Sequence, residues 1–266
     1  MKNLLILLAV LILCGCAAPV PTTEPVPTTE SVPTTEPIPT VSAVPETSIP
    51  TTTAPLYRDV FPEDCSLEDL LIWWDEVVLQ VEYSDGMGDP SRVQKWLFPI
   101  LCRIEGEPTE EDLLILDRFF QDLNQVSGFP GITMATELQQ ENLTISFLKP
   151  DDFRASFSEA IGGEEAWGAT QFWYYTDTNE IHTARIGCRT DIPQSDRNSI
   201  ILEEIVNTLG VSDTELRPDS IVYQHSNSNL SLSDEDWLIL KLLYHPDIEC
   251  GMDRNTCHTM IETLYH

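Results

Sequence analysis

The Pro/Thr-rich segment over residues 16–55 most constrains what this chain can fold into. A six-residue pattern, Pro-Val-Pro-Thr-Thr-Glu, begins at Pro19 and repeats with changes towards Pro50. A segment of this composition lacks the apolar side chains needed for a core and favours an extended, polyproline-like chain. The sequence therefore predicts a tether over residues 16–55, and it leaves residues 56–266 for one globular domain.

The residues before the tether predict an export signal. Lys2 precedes an apolar run from Leu4 to Leu13, which at about ten residues is too short to span a bilayer. Gly15-Cys16 then resembles the site at which bacterial lipoproteins are cleaved and acylated on cysteine. We therefore expect a lipoprotein signal peptide over residues 1–15 and a lipid on Cys16. That lipid would anchor the chain at the extracytoplasmic face of the bacterial cell envelope; a plain secretory signal is the alternative.

The charge balance excludes one class of partner. The chain has 44 acidic and 14 basic residues, for a formal net charge of −30. A polyanion is repelled by nucleic acid and by anionic lipid headgroups, so we expect no nucleic-acid partner. Solubility, calcium binding and a saline habitat all remain open as reasons for the acidic surface.

The cysteines suit an oxidising compartment. The chain has seven, of which five would remain after signal removal and acylation of Cys16, so pairing leaves at least one free. Cys250 and Cys257 are close in sequence and form the predicted disulfide. The sequence does not pair Cys65, Cys102 and Cys188. A zinc finger is excluded because no C-x-x-C spacing occurs.

Hydrophobic periodicity in residues 56–266 alternates between helix and strand. An amphipathic helix follows Ser66 and an acidic helix follows Thr109. Several strand patterns and a hairpin come next, and further helices end the chain. This order predicts an α+β fold with a mixed, mostly antiparallel sheet packed on helices.

One segment, Leu202-Glu203-Glu204-Ile205-Val206-Asn207-Thr208-Leu209-Gly210, resembles the motif helix of a zinc protease without its histidines. In such a protease, H-E-x-x-H places two zinc-binding imidazoles one helical turn apart, beside a Glu that acts as general base. Glu203 and Asn207 stand at the two ligand positions here. Glu204 stands at the position of the base, and Gly210 at that of the helix-ending glycine.

Two later segments extend the resemblance. Ser220-Ile221-Val222-Tyr223 stands where a metzincin has its Met-turn, and Leu232-Ser233-Asp234-Glu235-Asp236 stands at the start of the following helix. Together with the final run from Leu243 to Met252, these segments make the chain similar to domain of unknown function 2927, a bacterial family of secreted, zincin-shaped domains. The resemblance implies a zincin-like domain with a central motif helix and a helical C-terminal part.

The same resemblance places a third ligand position at Asp213. Zinc prefers His and Cys ligands, and amide ligands are rare, whereas an all-oxygen set suits a hard cation such as Ca²⁺. We therefore expect Glu203, Asn207 and Asp213 to be vestigial ligand positions without zinc, with calcium left open. Without a metal to acidify water, Glu204 would be a vestigial base. We expect Glu204 and Asn207 to face inward, satisfied by backbone or by one another; the alternative is that these are ordinary polar residues of an amphipathic helix.

These observations favour an inactive, metallopeptidase-like domain that acts as a binding or scaffold module. Its partner would be a peptide or an envelope protein, with a peptide laid along an exposed edge strand. A metal-dependent peptidase that uses the Glu203, Asn207 and Asp213 set is one alternative. A structural cell-envelope protein is the other.

Overall fold

The computed structural model describes residues 65–80, 91–158, 160 and 166–266. Its elements, in chain order, are α1 (Leu67–Val77), β1 (Ile100–Gly106), α2 (Glu110–Leu123), β2 (Ile132–Met134), β3 (Leu143–Leu148), α3 (Pro150–Phe157), β4 (Gly168–Tyr174), β5 (Ile181–Arg189), α4 (Gln194–Thr208), α5 (Asp234–Leu243) and α6 (Arg254–Tyr265). The predicted signal peptide, tether and acylated Cys16 lie outside the described residues. They therefore stay predictions.

Helices α1, α2 and α5 begin at the hydroxyl caps that the sequence predicts. The Ser66 hydroxyl accepts a hydrogen bond from the backbone N–H of Asp69 at the start of α1. Reciprocal capping boxes open α2 and α5, formed by Thr109 with Asp112 and by Ser233 with Asp236. Each box satisfies backbone donors that the first helical turn leaves unpaired.

The sheet has the strand order β2-β1-β3-β5-β4. Strand β1 pairs in parallel with β2 and β3, β3 pairs in parallel with β5, and β4 alone pairs antiparallel, with β5. The predicted α+β class and mixed sheet are confirmed, but the expectation of a mostly antiparallel sheet is wrong. Helix α2 returns the chain across the sheet between β1 and β2, which lets these two strands run the same way, whereas β4 and β5 form an antiparallel hairpin.

Helices cover both faces of the sheet. A Cβ added to Gly168 of β4 would overlap the side chains of Ile200 and Glu204 on α4. The next residue, Ala169, belongs instead to a small apolar cluster with Phe153 and Phe157 of α3. Because successive strand residues point to opposite faces, α3 and α4 lie on opposite sides of the sheet.

Helix α4 is the central element of the larger core. Its residues from Ser199 to Thr208 are all buried. Its C-terminal end is held by the Trp96 indole N–H, which donates to the Thr208 carbonyl oxygen at 2.8 Å, and by the Tyr244 hydroxyl, which donates to that of Leu209 at 3.2 Å. Gly210 then adopts a φ of +100°, the left-handed conformation that ends many helices. The predicted central helix and its terminating glycine are confirmed.

In the part of the chain that the structure describes, no helix combines the length and apolar character needed to cross a membrane.

Candidate functional site

Helix α4 carries three polar side chains into the interior of the domain. Glu203 and Glu204 are 2% and 3% exposed, and Asn207 is 7% exposed. The expectation that Glu204 and Asn207 face inward is therefore confirmed. The alternative, in which these residues form the solvated face of an amphipathic helix, is wrong because α4 is buried on all sides along this stretch.

The loop after α4 brings Asp213 to the same place. The Asn207 side-chain amide donates to Asp213 Oδ1 at 3.0 Å. The next residue, Thr214, is also held in place, because its backbone N–H donates to the Val222 carbonyl oxygen at 2.9 Å. Glu203, Glu204, Asn207 and Asp213 therefore form one group, which we call the acidic cluster.

Several oxygens of the acidic cluster have no hydrogen-bond partner. Among the buried side-chain atoms of the described residues, Glu203 Oε2, Glu204 Oε2 and Asn207 Oδ1 lie without a donor. The expectation that Glu204 and Asn207 satisfy one another is wrong, because the Asn207 amide donates to Asp213 and one oxygen on each of the two side chains has no partner. An unsatisfied buried polar atom costs about 1–3 kcal/mol, so three in one place require an explanation.

The carboxyl groups of the cluster are weak acids. Burial raises the pKa of Glu203 well above its ordinary value, and the nearby charges of Asp213 and Glu204 raise it further. Burial also raises the pKa of Glu204 to about 8, partly offset by the Thr170 hydroxyl. It raises the pKa of Asp213 to about 6, against the lowering effect of the Asn207 amide. No Arg or Lys is among the causes of these three shifts.

Strand β4 lies against the acidic cluster. The absence of a side chain at Gly168 admits the Glu204 carboxylate, and the Thr170 hydroxyl donates to the Glu204 carbonyl oxygen at 2.9 Å. Phe172 and Tyr174 follow on the same face of the strand and pack on the core. The even-numbered residues of β4 therefore face α4.

Among the described residues, no strand pairs with the other side of β4. Arg189 N–H donates to the Trp167 carbonyl oxygen, and the antiparallel register then directs the backbone groups of residues 169, 171 and 173 to β5. The N–H and C=O groups of Gly168, Thr170, Phe172 and Tyr174 point the opposite way. In the described parts of the chain, β4 pairs with β5 alone. We call this row of backbone groups the β4 edge.

The segment in the Met-turn position, residues 220–223, is hydrogen-bonded to the start of α5. Asp236 of the α5 capping box accepts from the Ser220 hydroxyl at 2.5 Å and from the Ile221 backbone N–H at 2.9 Å. The Asn229 amide donates to the Ser220 carbonyl oxygen at 2.7 Å. The two segments that carry the sequence resemblance after α4 thus contact each other directly.

A second polar group lies at the opposite end of α4. Arg197 forms a buried ion pair with Asp112 at 2.9 Å, and Gln194 and the Thr109 backbone N–H also donate to that carboxylate. Burial by itself would raise the pKa of Asp112, but hydrogen bonds from Arg197, Thr109 and Gln194 outweigh it and lower the pKa. This group joins the start of α4 to the start of α2.

The donor set of the acidic cluster does not fit zinc. Its side chains offer only carboxylate and amide oxygens, and zinc sites in proteins are built from His and Cys with a carboxylate as supplement. Within residues 65–80, 91–158, 160 and 166–266, no group of three or more His, Cys, Asp or Glu is arranged to hold a metal ion.

The cysteines are free thiols in the structure, so the predicted Cys250–Cys257 bridge is not formed there. Cys250 donates to the Lys95 carbonyl oxygen at 3.6 Å, and Cys257 is buried where α6 packs on the core. Burial raises the pKa of Cys257 to about 12. Pairing of these two thiols under oxidising conditions stays a prediction.

Sequence reasoning missed two contributors to the site. Gly168 interrupts the alternation of apolar and polar residues, so the strand pattern in the sequence begins only at Thr170. The Thr170 hydroxyl was missed because a single hydroxyl does not indicate a contact with α4. An ion pair elsewhere was missed for the same reason: Asp75 on α1 contacts His258 Nε2 at 2.7 Å and Arg254 on α6. A pair separated by 183 residues leaves no local pattern.

Comparison with known proteins assigns the chain to a family. The sequence model of the family described as "Protein of unknown function (DUF2927)" matches residues 70–263. No curated protein matches the chain. The match spans most of the chain and includes α4, the segment in the Met-turn position and the C-terminal helices. The chain therefore belongs to this family of proteins of unknown function, as the sequence resemblance predicts.

Proposed function

We propose that this protein is a lipid-anchored, extracytoplasmic binding module whose zincin-like domain holds an extended peptide at the β4 edge without cleaving it. The observation that carries the proposal is the juxtaposition of an unpaired strand edge with the polar cluster of a central helix. Extended peptides add to exposed edges because each unpaired N–H and C=O gains a partner. Four consecutive even-numbered residues of β4 offer such groups.

Two features support a zincin-like ancestry for the site. The positions that match ligands, base and terminating glycine all lie on or just after one buried helix. The Met-turn segment contacts the capping box that follows it through Ser220 and Asp236. A scaffold assembled in this way holds a peptide beside α4, where a protease would attack it.

Binding without cleavage follows from the donor set. A zinc protease needs a metal to acidify water, and the cluster contains no imidazole for zinc. The alternative of a metal-dependent peptidase makes a different prediction: a chelator-sensitive cleavage of peptides that Glu204→Gln abolishes. Detection of that activity in the purified chain would replace the binding proposal.

The peptide-binding proposal is tested by changing one backbone group of the β4 edge. Phe172→Pro removes an outward N–H, which an edge strand tolerates, whereas Phe172→Ala removes the same ring and keeps the N–H. An acetylated octapeptide pool is passed over the immobilised full-length chain, and retained peptides are titrated against both variants. We expect Phe172→Pro to bind at least about tenfold more weakly than Phe172→Ala, because a hydrogen bond is lost and the ring obstructs the edge.

Two outcomes would remove the proposal. Equal binding by the two Phe172 variants would place the peptide elsewhere, and no retained peptide would leave the edge without a ligand. A structural envelope protein held by its acidic surface is distinguished by a salt series. Surface adhesion through charge declines steeply at high ionic strength, whereas pairing at a strand edge changes little.

The anchoring part of the proposal has its own test. Expression of the full chain in a bacterium, with Cys16 intact or changed to Ser, is followed by separation of membranes from soluble material. We expect the unchanged chain in the membrane fraction and Cys16→Ser in the soluble fraction, since no other segment supplies a lipid site. Equal distribution of the two forms would exclude the anchor and leave the domain's binding role untouched.

A further inference from the structure

The unpartnered oxygens of the acidic cluster point to a ligand. Glu203 Oε2, Glu204 Oε2 and Asn207 Oδ1 lie on side chains more than nine-tenths buried, and no described group forms a hydrogen bond with them. A water or a protein donor normally satisfies such atoms. Three acceptors that remain open on neighbouring turns of one helix are the arrangement expected when the donor comes from another molecule.

The cluster also lacks a positive charge. The ion pairs among the described residues join acidic groups elsewhere to Arg, Lys or His, and none includes Glu203, Glu204 or Asp213. Buried carboxylates in proteins are otherwise paired with cations. The missing donor and the missing charge are supplied together by one kind of group, a protonated amine.

Asp213 is the most exposed member of the acidic cluster. This residue is only half-buried, while its carboxylate oxygen contacts the amide of the buried Asn207. On the strand side, the Glu204 carboxylate lies against the backbone of Gly168, the first residue of the β4 edge. A peptide paired with that edge therefore runs past the cluster within reach of a side chain.

We propose that the peptide held at the β4 edge is recognised through a primary ammonium group that enters the acidic cluster and donates to its open oxygens. The inference rests on the proposed function and names the chemistry of its partner. An ammonium has three N–H donors, and the cluster offers three unpartnered acceptors on Glu203, Glu204 and Asn207. A lysine side chain and a peptide N-terminus both carry this group.

Electrostatics favour this occupant. An opposite charge nearby stabilises the ionised form of a carboxyl group, so the ammonium would reverse the effect of burial on Glu203 and Glu204. Hydrogen bonds between charged groups are about twice as strong as those between neutral ones. The net charge of −30 also attracts basic segments and repels acidic ones before contact.

The experiment measures binding of four probe peptides to the purified full-length chain by fluorescence polarisation. All are octapeptides of alternating Thr and Val. The first is acetylated and carries one lysine, scanned along the central positions, and the second has norleucine in place of that lysine. The third lacks lysine and has a free N-terminus, and the fourth is its acetylated counterpart. The first pair reports a side-chain ammonium and the second pair an N-terminal one.

In at least one of the two pairs, we expect the peptide with an ammonium group to bind about 10- to 100-fold more tightly than its uncharged counterpart. This is the range for a hydrogen bond between charged groups. The double variant Glu203→Gln, Glu204→Gln should bring that ratio close to one. The matched control is Glu110→Gln, Glu111→Gln, an exposed adjacent pair at the start of α2, which should keep the ratio. Urea unfolding verifies that both double variants are folded.

The outcomes separate this inference from the proposed function. Equal binding of charged and uncharged peptides to the unchanged chain, lost in Phe172→Pro, would overturn the ammonium site and keep the peptide-binding edge. A preference that survives in the Glu203→Gln, Glu204→Gln variant would assign it to the general acidic surface and also overturn the inference. If no probe binds to the unchanged chain or to either Phe172 variant, both the ammonium site and the peptide-binding edge are wrong. If the double variant does not fold, the ratio for the unchanged chain is measured at high ionic strength, where attraction to the general acidic surface is screened and a preference due to the cluster should persist.

Discussion

The two ends of helix α4 each bury an acidic polar group, and they differ in how that group is satisfied. At the N-terminal end, Asp112 receives the Arg197 guanidinium, the Gln194 amide and the Thr109 backbone N–H. At the C-terminal end, the carboxylates of Glu203 and Glu204 each keep an oxygen without a partner. The pKa of Asp112 is lowered, whereas the pKa of each of the other two is raised.

This difference separates a structural group from a candidate functional one. Burial is equally severe at both ends, so burial does not explain the contrast; the supply of donors and cations does. A satisfied ion pair fixes the packing of α2 on α4. An unsatisfied acidic cluster costs stability and is kept where it serves another purpose, such as a ligand.

The largest expected effect is at the satisfied end. Asp112→Ala leaves the buried Arg197 without its counter-charge, and we expect the free energy of unfolding to decrease by about 3–5 kcal/mol. Urea unfolding measures this change. The control is Arg103→Ala, which removes a largely solvated ion pair with Glu141 and should cost much less than Asp112→Ala. Equal costs for the two variants would contradict the structural role of the buried pair.

A smaller effect is expected at the unsatisfied end, where replacing the acidic side chain should reduce a loss of stability instead of causing one. Burial raises the pKa of Glu204 from 4.5 to about 8, so between these values the folded chain retains a proton that the unfolded chain releases. Stability is therefore greatest below the lower value and decreases as the pH rises through the higher one. Glu204→Gln removes this titration, and we expect it to reduce the loss of stability from pH 5 to pH 8 by on the order of a few kcal/mol.

That pH dependence is measured by urea unfolding at the two pH values. Glu110→Gln, at an exposed position on α2, controls for the loss of one negative charge and should leave the wild-type pH dependence unchanged. If Glu204→Gln declines with pH as steeply as the unchanged chain does, the Glu204 carboxyl group is not the source of the effect.

The smallest effect concerns the contact between β4 and the cluster. Gly168→Ala places a methyl group against the Glu204 carboxylate and the Ile200 side chain, and we expect a loss of about 1–3 kcal/mol from overpacking. The same substitution in a Glu204→Ala background should cost less, since one of the two contacts is gone. An identical cost in both backgrounds would show that the carboxylate does not lie against the strand.

Local features of the fold were predictable from the sequence, and long-range ones were not. Ser66, Thr109 and Ser233 predict helix starts because a capping hydroxyl and the acidic residue three positions later lie within one turn. The apolar pattern from Trp96 to Ile104 predicts a strand, and the observed strand begins only at Ile100, after Pro99, which lacks a backbone donor. The direction of strand pairing was predicted wrongly, because a strand's side-chain pattern does not record which neighbour it joins.

The candidate site divides in the same way. The resemblance of residues 202–210 to a protease helix predicted that Glu203, Glu204 and Asn207 belong together, and the spacing to Asp213 predicted its approach. It did not predict that their oxygens would lack donors. Nor did it predict the β4 contact through Gly168 and Thr170, because that contact joins residues 34 positions apart.

The sequence by itself determined where helices begin and end, which residues enter the core and which family the chain belongs to. These depend on periodicity, capping and ordered motifs, all carried by neighbouring residues. Only the tertiary structure decided that one buried polar group on α4 is paired and the other is open. That outcome depends on whether a cation from a distant segment reaches each group: Arg197 reaches Asp112 across 85 residues, and no described basic side chain reaches Glu203 or Glu204.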